Sequence, residues 1–286
     1  MVATPAAASC IPPPKRKPTC LHLFSGLRDR HDGLSSILRK VGWDSLDVDI
    51  VNVGQDGDRS SHDLSSDLLR ETLLASLHEG AFGTVFCGTP CDTFSAARHR
   101  VPGPPPLRSV DFPYGLPKSQ LTPRQFEQVR LGTYFALQSA RLLREAHGLG
   151  VGFVIETPEP RPGIVSVFTL PEFLALSELG GVKVTAFDQC RYGAETSKPT
   201  ALMLFRVDLT HSRFRCNHNP IQRQWQDWHG RWTSGFRAHL PLAGRRSSAG
   251  TPATEAVAAY PFRMNMELAK AIISSGRASP RQRAPS

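Results

Sequence analysis

Cys91 stands where a nucleophile would be useful. It lies in Gly88-Thr89-Pro90-Cys91-Asp92-Thr93-Phe94-Ser95, directly after the apolar run Ala81-Phe82-Gly83-Thr84-Val85-Phe86-Cys87. Such a run predicts a buried strand. Pro90, with its fixed φ and its bias against helix at Thr89, turns the chain out of the sheet. A thiol delivered there could attack an electron-poor centre. A cysteine near a strand end also fits plain interior packing, so the reading rests on a second feature. Val151-Gly152-Phe153-Val154-Ile155-Glu156-Thr157-Pro158 is another apolar run, broken by an acid near its end. The carboxyl ends of strands in an open α/β sheet converge on one crevice where ligands bind, which predicts Glu156 beside Cys91. Alone, Glu156 would be a solvated strand-end carboxylate; together the two make a nucleophile with an acid or base.

The elements that must position this pair alternate in type. Thr19–Phe24 reads as a first strand, followed by the Ser25-Gly26 turn and a helix near Gly33–Val41. Trp43–Ile50 is a second strand carrying Asp47 and Asp49, and a helix follows around Leu64–Leu77. His99–Leu121 is proline-rich and basic, a long irregular loop of the kind usually given to function or disorder. Thr122-Pro123-Arg124-Gln125 supplies a capping box with proline at the first helical position, opening a helix to about His147. Val129, Ala136, Ala140 and Leu143 form its buried stripe. Beyond the Glu156 strand come a helix at Pro171–Leu179, strands at Val182–Phe187 and Thr200–Val207, and a helix at Met264–Ile273. Alternating strands and helices predict an α/β sheet with both faces covered. The last two strands are too close for a crossover helix, which predicts an antiparallel edge hairpin.

Composition bounds the function classes. The 286 residues, 40% hydrophobic, suffice for one large domain with a substantial core. A formal charge of +9, from 34 Lys and Arg against 25 Asp and Glu, favours an anionic partner such as nucleic acid, though a basic surface also serves solubility. Six cysteines without a Cys-x-x-Cys pair fit a reducing compartment. No run is long or apolar enough for a membrane helix, and the N-terminus lacks a signal-peptide core, so a soluble intracellular protein with no membrane partner is expected. Pro12-Pro13-Pro14-Lys15-Arg16-Lys17 is either a solvated tail or, in a eukaryotic cell, a nuclear-import patch. Residues 1–18 and 276–286 are expected to be disordered tails around a 19–275 domain, with 208–258 a small variable insert. Cys216, His218 and His229 fit no structural zinc pattern well, and no metal is expected. Trp225, Trp228 and Trp232 suit packing of the insert, with base stacking as the alternative.

Taken in order, the motifs resemble those of the cytosine-5 nucleic-acid methyltransferase family, in a divergent branch. Phe24-Ser25-Gly26 is similar to the family's cofactor turn, and Asp47 or Asp49 falls where an acid holds the cofactor ribose. His62-Asp63-Leu64 resembles the adenine-contacting segment. Pro90-Cys91-x-x-Phe94-Ser95 matches the nucleophile motif, Glu156-Thr157-Pro158 stands for Glu-Asn-Val, and Gln189-Cys190-Arg191 for the start of Gln-x-Arg-x-Arg. Tyr260-Pro261 and the final helix resemble the motif that covers the cofactor. The resemblance implies a Rossmann-like S-adenosylmethionine-dependent methyltransferase sheet, mostly parallel with an antiparallel edge hairpin and a small C-terminal elaboration. The departures are specific: His22 for an acid, Arg28-Asp29 for glycines, Thr157 for asparagine, Gly193 for the second arginine.

The implied reaction is methyl transfer from S-adenosylmethionine to carbon 5 of cytosine through a covalent Cys91 adduct, with DNA favoured over RNA and a monomeric enzyme. Cys91, Glu156 and Arg191 would be catalytic. Phe24, Ser25, Gly26, Asp47, Asp49, Asp63 and Pro90 would bind the cofactor, and Ser95, Arg98, Arg100 and Arg108 the nucleic acid. Arg98 and Arg191 are the cations that would favour the thiolate, each equally readable as a surface arginine. A flipped or unpaired base is required, since the target carbon is out of reach inside a duplex. A fold that keeps nucleic-acid binding without the reaction is the alternative.

Overall fold

The computed structural model describes residues 17–28, 30–53, 57–99, 103–194, 196–209, 213–217, 224–226, 232–234, 239 and 259–278. Its centre is a mixed sheet of β1 (Thr19–Leu23), β2 (Asp44–Val48), β3 (Thr84–Cys87), β4 (Gly152–Pro158), β5 (Val182–Asp188) and β6 (Pro199–Phe205), in spatial order β2-β1-β3-β4-β6-β5. The helices are α1 (Leu34–Lys40), α2 (Asp67–His78), α3 (Pro123–Gly148), α4 (Pro171–Ser177) and α5 (Phe262–Ala278). Two short strands, β7 (Gln224–Gln226) and β8 (Trp232–Ser234), pair antiparallel within the expected insert. Arg100, His218, Trp228, His229 and residues 1–16, with most of the basic proline tract, lie outside the described residues.

The central strands are buried on both sides, and their two-residue alternation splits the core. Leu21, Leu23, Val85, Cys87, Phe153 and Ile155 face the side covered by α2, α3 and α4, packing on Leu73, Leu77, Ala136, Leu143 and Phe173. Cys20, Phe86, Val154, Leu202 and Leu204 face α1 and α5, packing on Leu34, Leu38, Met264, Leu268 and Ile272. The long helix α3 starts as its sequence predicts: Thr122 Oγ1 accepts from Gln125 N at 3.3 Å and Gln125 Oε1 accepts from Thr122 N at 2.9 Å. Val129, Ala136, Ala140 and Leu143 are all buried.

The antiparallel hairpin expected at the sheet edge is formed by β5 and β6; β6 also pairs antiparallel with β4, so the reversed strand lies inside the sheet and β5 forms the edge. Burial explains the order. Ala201–Phe205 of β6 are all buried, as an interior strand requires, whereas Lys183 and Val184 of β5 are exposed. The final helix also runs past residue 275, where Gly276 packs on Trp43; an added Cβ would meet Trp43 Cζ2 at 2.5 Å.

Strand register sets the site. Leu23 lies opposite both Val48 and Cys87, and Cys87 opposite Ile155. The next residues, Asp49, Phe24, Gly88 and Glu156, therefore come level at the carboxyl ends of four neighbouring parallel strands. Four segments remote in sequence meet in one row because parallel pairing leaves them unstaggered.

Candidate active site

A cavity of about 1030 Å³ opens above that row, lined among others by Phe24, Gly26, Asp49, Cys91, Glu156 and Tyr260. Cys91 follows Pro90 at the start of a short helical turn, Asp92–Phe94. Two arginines brace this loop. Arg108 stacks its guanidinium 3.7 Å from the Phe94 ring centre and donates to Thr93 Oγ1 at 2.8 Å, Val129 O at 3.2 Å, Pro113 O at 3.0 Å and Thr133 Oγ1 at 2.9 Å. Arg98 donates to Asp92 O at 2.7 Å and Pro105 O at 3.1 Å, tying the cysteine loop to the proline-rich segment. Gly132 makes room for the first brace, since a Cβ there would meet Thr93 Oγ1 at 2.7 Å. Thr157 is buried, and its hydroxyl has no partner among the described residues.

Glu156 is 5% exposed at the end of β4. Its Oε2 accepts the Tyr260 hydroxyl at 2.8 Å, while Oε1 has no partner among the described residues. A buried carboxylate oxygen without a donor is expensive, and Glu156, which lines the cavity, carries this cost. Tyr260 reaches it from beyond the insert, packed edge-on against Phe86 with centroids 6.1 Å apart and with Lys198 Nζ 5.5 Å from its ring centre. Burial, then the Glu156 carboxylate, push the Tyr260 phenol well above its ordinary range, so it stays a donor. Burial, and next the same carboxylate, push the Cys91 thiol up to about 12, opposed by the Lys198 charge. Cys91 rests as a thiol.

The turn after β1 is built tightly. Phe24 and Gly26 both take positive φ, 55° and 69°, and Asp49 Oδ2 accepts from Gly26 N at 2.9 Å. Asn52 donates from Nδ2 to Gly26 O and accepts from Arg28 N, each at 2.9 Å. Asp49 faces the cavity beside Ile50, which is 49% exposed. Asp47, the other candidate acid, also touches the cavity, but its carboxylate is held by Ser35, Ser45 and Arg39. His22 completes that cluster, with Nδ1 bonded to Ser35 Oγ at 2.9 Å, and burial pushes its imidazole down to about 4 despite Asp47. A neutral His22 thus replaces the expected acid.

Of the residues predicted from sequence, Phe24, Ser25, Gly26, Asp47, Asp49, Pro90, Cys91, Ser95, Arg98 and Glu156 line this one cavity. Three others lie outside it. Asp63 is turned to Ser65 and Arg59 and is absent from the lining, where His62 and Leu64 appear instead. Arg191 is buried away from the cavity, 5.2 Å from the Phe214 ring centre, and donates to Arg215 O at 2.8 Å. Arg108 is 4% exposed and spends its donors on protein, so it has none directed to a phosphate. Arg30, Arg161 and Lys198 line the cavity without having been foreseen, and no local sequence signal marks Tyr260 as the partner of Glu156, 104 residues away.

Among the described residues no helix is long and apolar enough to cross a membrane. No family model and no curated protein matches the chain. Among solved structures, it is similar to a crystal structure described as a DNA modification methyltransferase encoded within a prophage (E. coli), with 15% identity and a TM-score of 0.34 over 68% of this chain. The chain spans about half the length of that structure, 50%, and a likeness of this degree settles neither reaction nor substrate.

Proposed function

We propose that this chain transfers a methyl group from S-adenosylmethionine to carbon 5 of cytosine in DNA, with Cys91 as nucleophile and Glu156 as the acid at ring nitrogen 3. The observation that carries the reading is the meeting of Cys91 and Glu156 in one cavity with the Phe24–Gly26 turn and Asp49. The residues fit the cofactor. Asp49 offers an acidic edge beside exposed Ile50, a Cβ at Gly26 would meet nothing within 4 Å, and the volume suits a nucleoside together with a base. When bound, S-adenosylmethionine supplies the electrophilic methyl group that carbon 5 accepts.

The rest of the chemistry falls to the chain. Moving a proton from Cys91 to Glu156 makes a thiolate and a neutral acid. It also removes the negative charge that opposes ionisation of Cys91 and leaves Lys198, which favours it. The thiolate sulfur bonds to carbon 6 while Glu156 donates its proton to ring nitrogen 3, placing the electron pair on carbon 5. Water in the cavity takes the proton from the methylated carbon 5, the carbon–hydrogen electron pair re-forms the 5,6 double bond, the carbon–sulfur pair departs with Cys91 as thiolate, and the nitrogen 3 proton returns to Glu156. Tyr260 is a positioning residue: its hydroxyl holds Oε2 and fixes the carboxyl group beside the cavity.

Capture on DNA containing 5-fluorocytosine tests this directly, because fluorine at carbon 5 cannot leave as a proton and the Cys91 adduct persists. A denaturation-resistant complex formed only with S-adenosylmethionine and lost in Cys91→Ser is expected. Absence of the complex despite calorimetric binding of S-adenosylhomocysteine and of DNA overturns the mechanism. A second reading, nucleic-acid binding without the reaction, draws on Arg28, which lines the cavity and bonds His62 Nε2 at 3.0 Å beside the segment expected to contact adenine. That reading requires DNA binding with no affinity for S-adenosylhomocysteine.

A further inference from the structure

Outside the cavity, three soft ligands converge from segments that the sequence keeps apart. Cys190 sits in the turn Gln189–Tyr192 after β5, Cys216 in the stretch 213–217, and His239 farther along the insert. Their ligand atoms all lie within 4.8 Å of one another, and Cys216 Sγ stands 3.6 Å from His239 Nε2. A tetrahedral zinc ion, with bonds of about 2.3 Å to sulfur and about 2.0–2.1 Å to nitrogen, holds such a pair about 3.6 Å apart. Asp188 orients the set, its Oδ2 accepting from Cys216 N at 2.7 Å, much as carboxylates behind a metal's ligands fix their geometry.

We propose that Cys190, Cys216 and His239 bind a zinc ion that ties these segments together, where the sequence led to an expectation of no metal. Binding releases the protons of both thiols and takes the neutral imidazole through Nε2, giving two thiolates and one nitrogen around the ion and leaving one coordination position. Two thiolates select a borderline-soft ion over magnesium or calcium. The consequence is mechanical. Arg191 donates to the carbonyl of Arg215, the residue before Cys216, and Arg215 forks onto Glu159 at 2.6 and 2.7 Å. Glu159 lines the cavity, so an ion at Cys216 fastens the insert to the cavity rim. This inference is independent of the proposed methyl transfer.

The test uses the full chain, purified under a non-metal-binding reductant. Elemental analysis should find about one zinc per chain, and exchange with cobalt should give thiolate-to-cobalt charge transfer with the strong visible bands of a tetrahedral site. Cys216→Ser and, separately, His239→Asn should weaken zinc binding by more than the roughly 10–100-fold typical of losing an outer partner. Using both variants guards against one failing to fold. No bound zinc in the native chain, affinity unchanged in both variants, or a Cys190–Cys216 disulfide recovered in place of metal overturns the proposal.

Discussion

Replacing Tyr260 with phenylalanine removes one oxygen and leaves the ring, so the edge contact with Phe86 and the approach of Lys198 survive. What disappears is the 2.8 Å hydrogen bond to Glu156 Oε2. Since Oε1 has no partner among the described residues and the side chain is buried, the variant leaves both carboxylate oxygens without this support. A hydrogen bond to a charged group contributes about 1.5–3 kcal/mol. We therefore expect a loss of about 2 kcal/mol, or a melting temperature lower by roughly 4–8 °C at this chain length. Urea unfolding followed by tryptophan fluorescence should show a lower midpoint with an unchanged slope. In a Glu156→Gln background the phenol meets a neutral acceptor, and the same substitution should cost only about 1 kcal/mol. In the methyl-transfer assay, a misplaced Oε1 lowers kcat by about tenfold, a 1.4 kcal/mol effect, with little change in KM for DNA. A stability cost below about 0.5 kcal/mol, or the same cost in the Gln background, would refute the reasoning that the phenol supports a charged carboxylate.

Other perturbations follow from the same geometry. Cys91→Ser should abolish transfer of labelled methyl groups to cytosine while leaving the circular dichroism spectrum unchanged. Because burial pushes the Cys87 and Cys91 thiols up to about 12 from 9.0, the unfolded chain releases those protons first. Their contribution to stability is complete below about pH 9 and is lost as pH rises toward 12, by at most about 1.4 kcal/mol per pH unit for each thiol. Between about pH 8 and about pH 10 the native chain should accordingly lose more stability than Cys91→Ser, read from paired urea midpoints. Arg108→Met removes a buried, hydrogen-bonded cation and should cost about 3–5 kcal/mol in the same assay, yet leave the salt slope of DNA binding unchanged. Arg161→Ala, at the cavity wall, should leave stability within about 0.5 kcal/mol and reduce that slope by about one.

Much of the framework was legible in the residues because local physics writes it there. The two apolar runs that end at Cys87 and Ile155, the Thr122–Gln125 cap and the stripe from Val129 to Leu143 each carry their own signal, and each element forms where that signal lies. Cys91 and Glu156 could be singled out because a polar residue at or after the end of a buried strand is a break in pattern. The roles of the arginines were not legible. Arg98, Arg108 and Arg191 look alike in a sequence, and only their neighbours make one a tie at the cavity edge, one a clamp beneath the cysteine loop and one a prop under Phe214.

By itself the sequence determined the main strands and helices, that Cys91 follows one buried strand and Glu156 lies near the end of another, and that the chain carries excess positive charge. Tertiary structure alone decided the order β4-β6-β5, the level register that brings Asp49, Phe24, Gly88 and Glu156 together, the Tyr260 bond, and the approach of Cys190, Cys216 and His239. The reason is range. Propensity and periodicity act over a few neighbouring residues, whereas strand pairing and side-chain convergence depend on contacts between segments tens to a hundred residues apart, which no local pattern encodes.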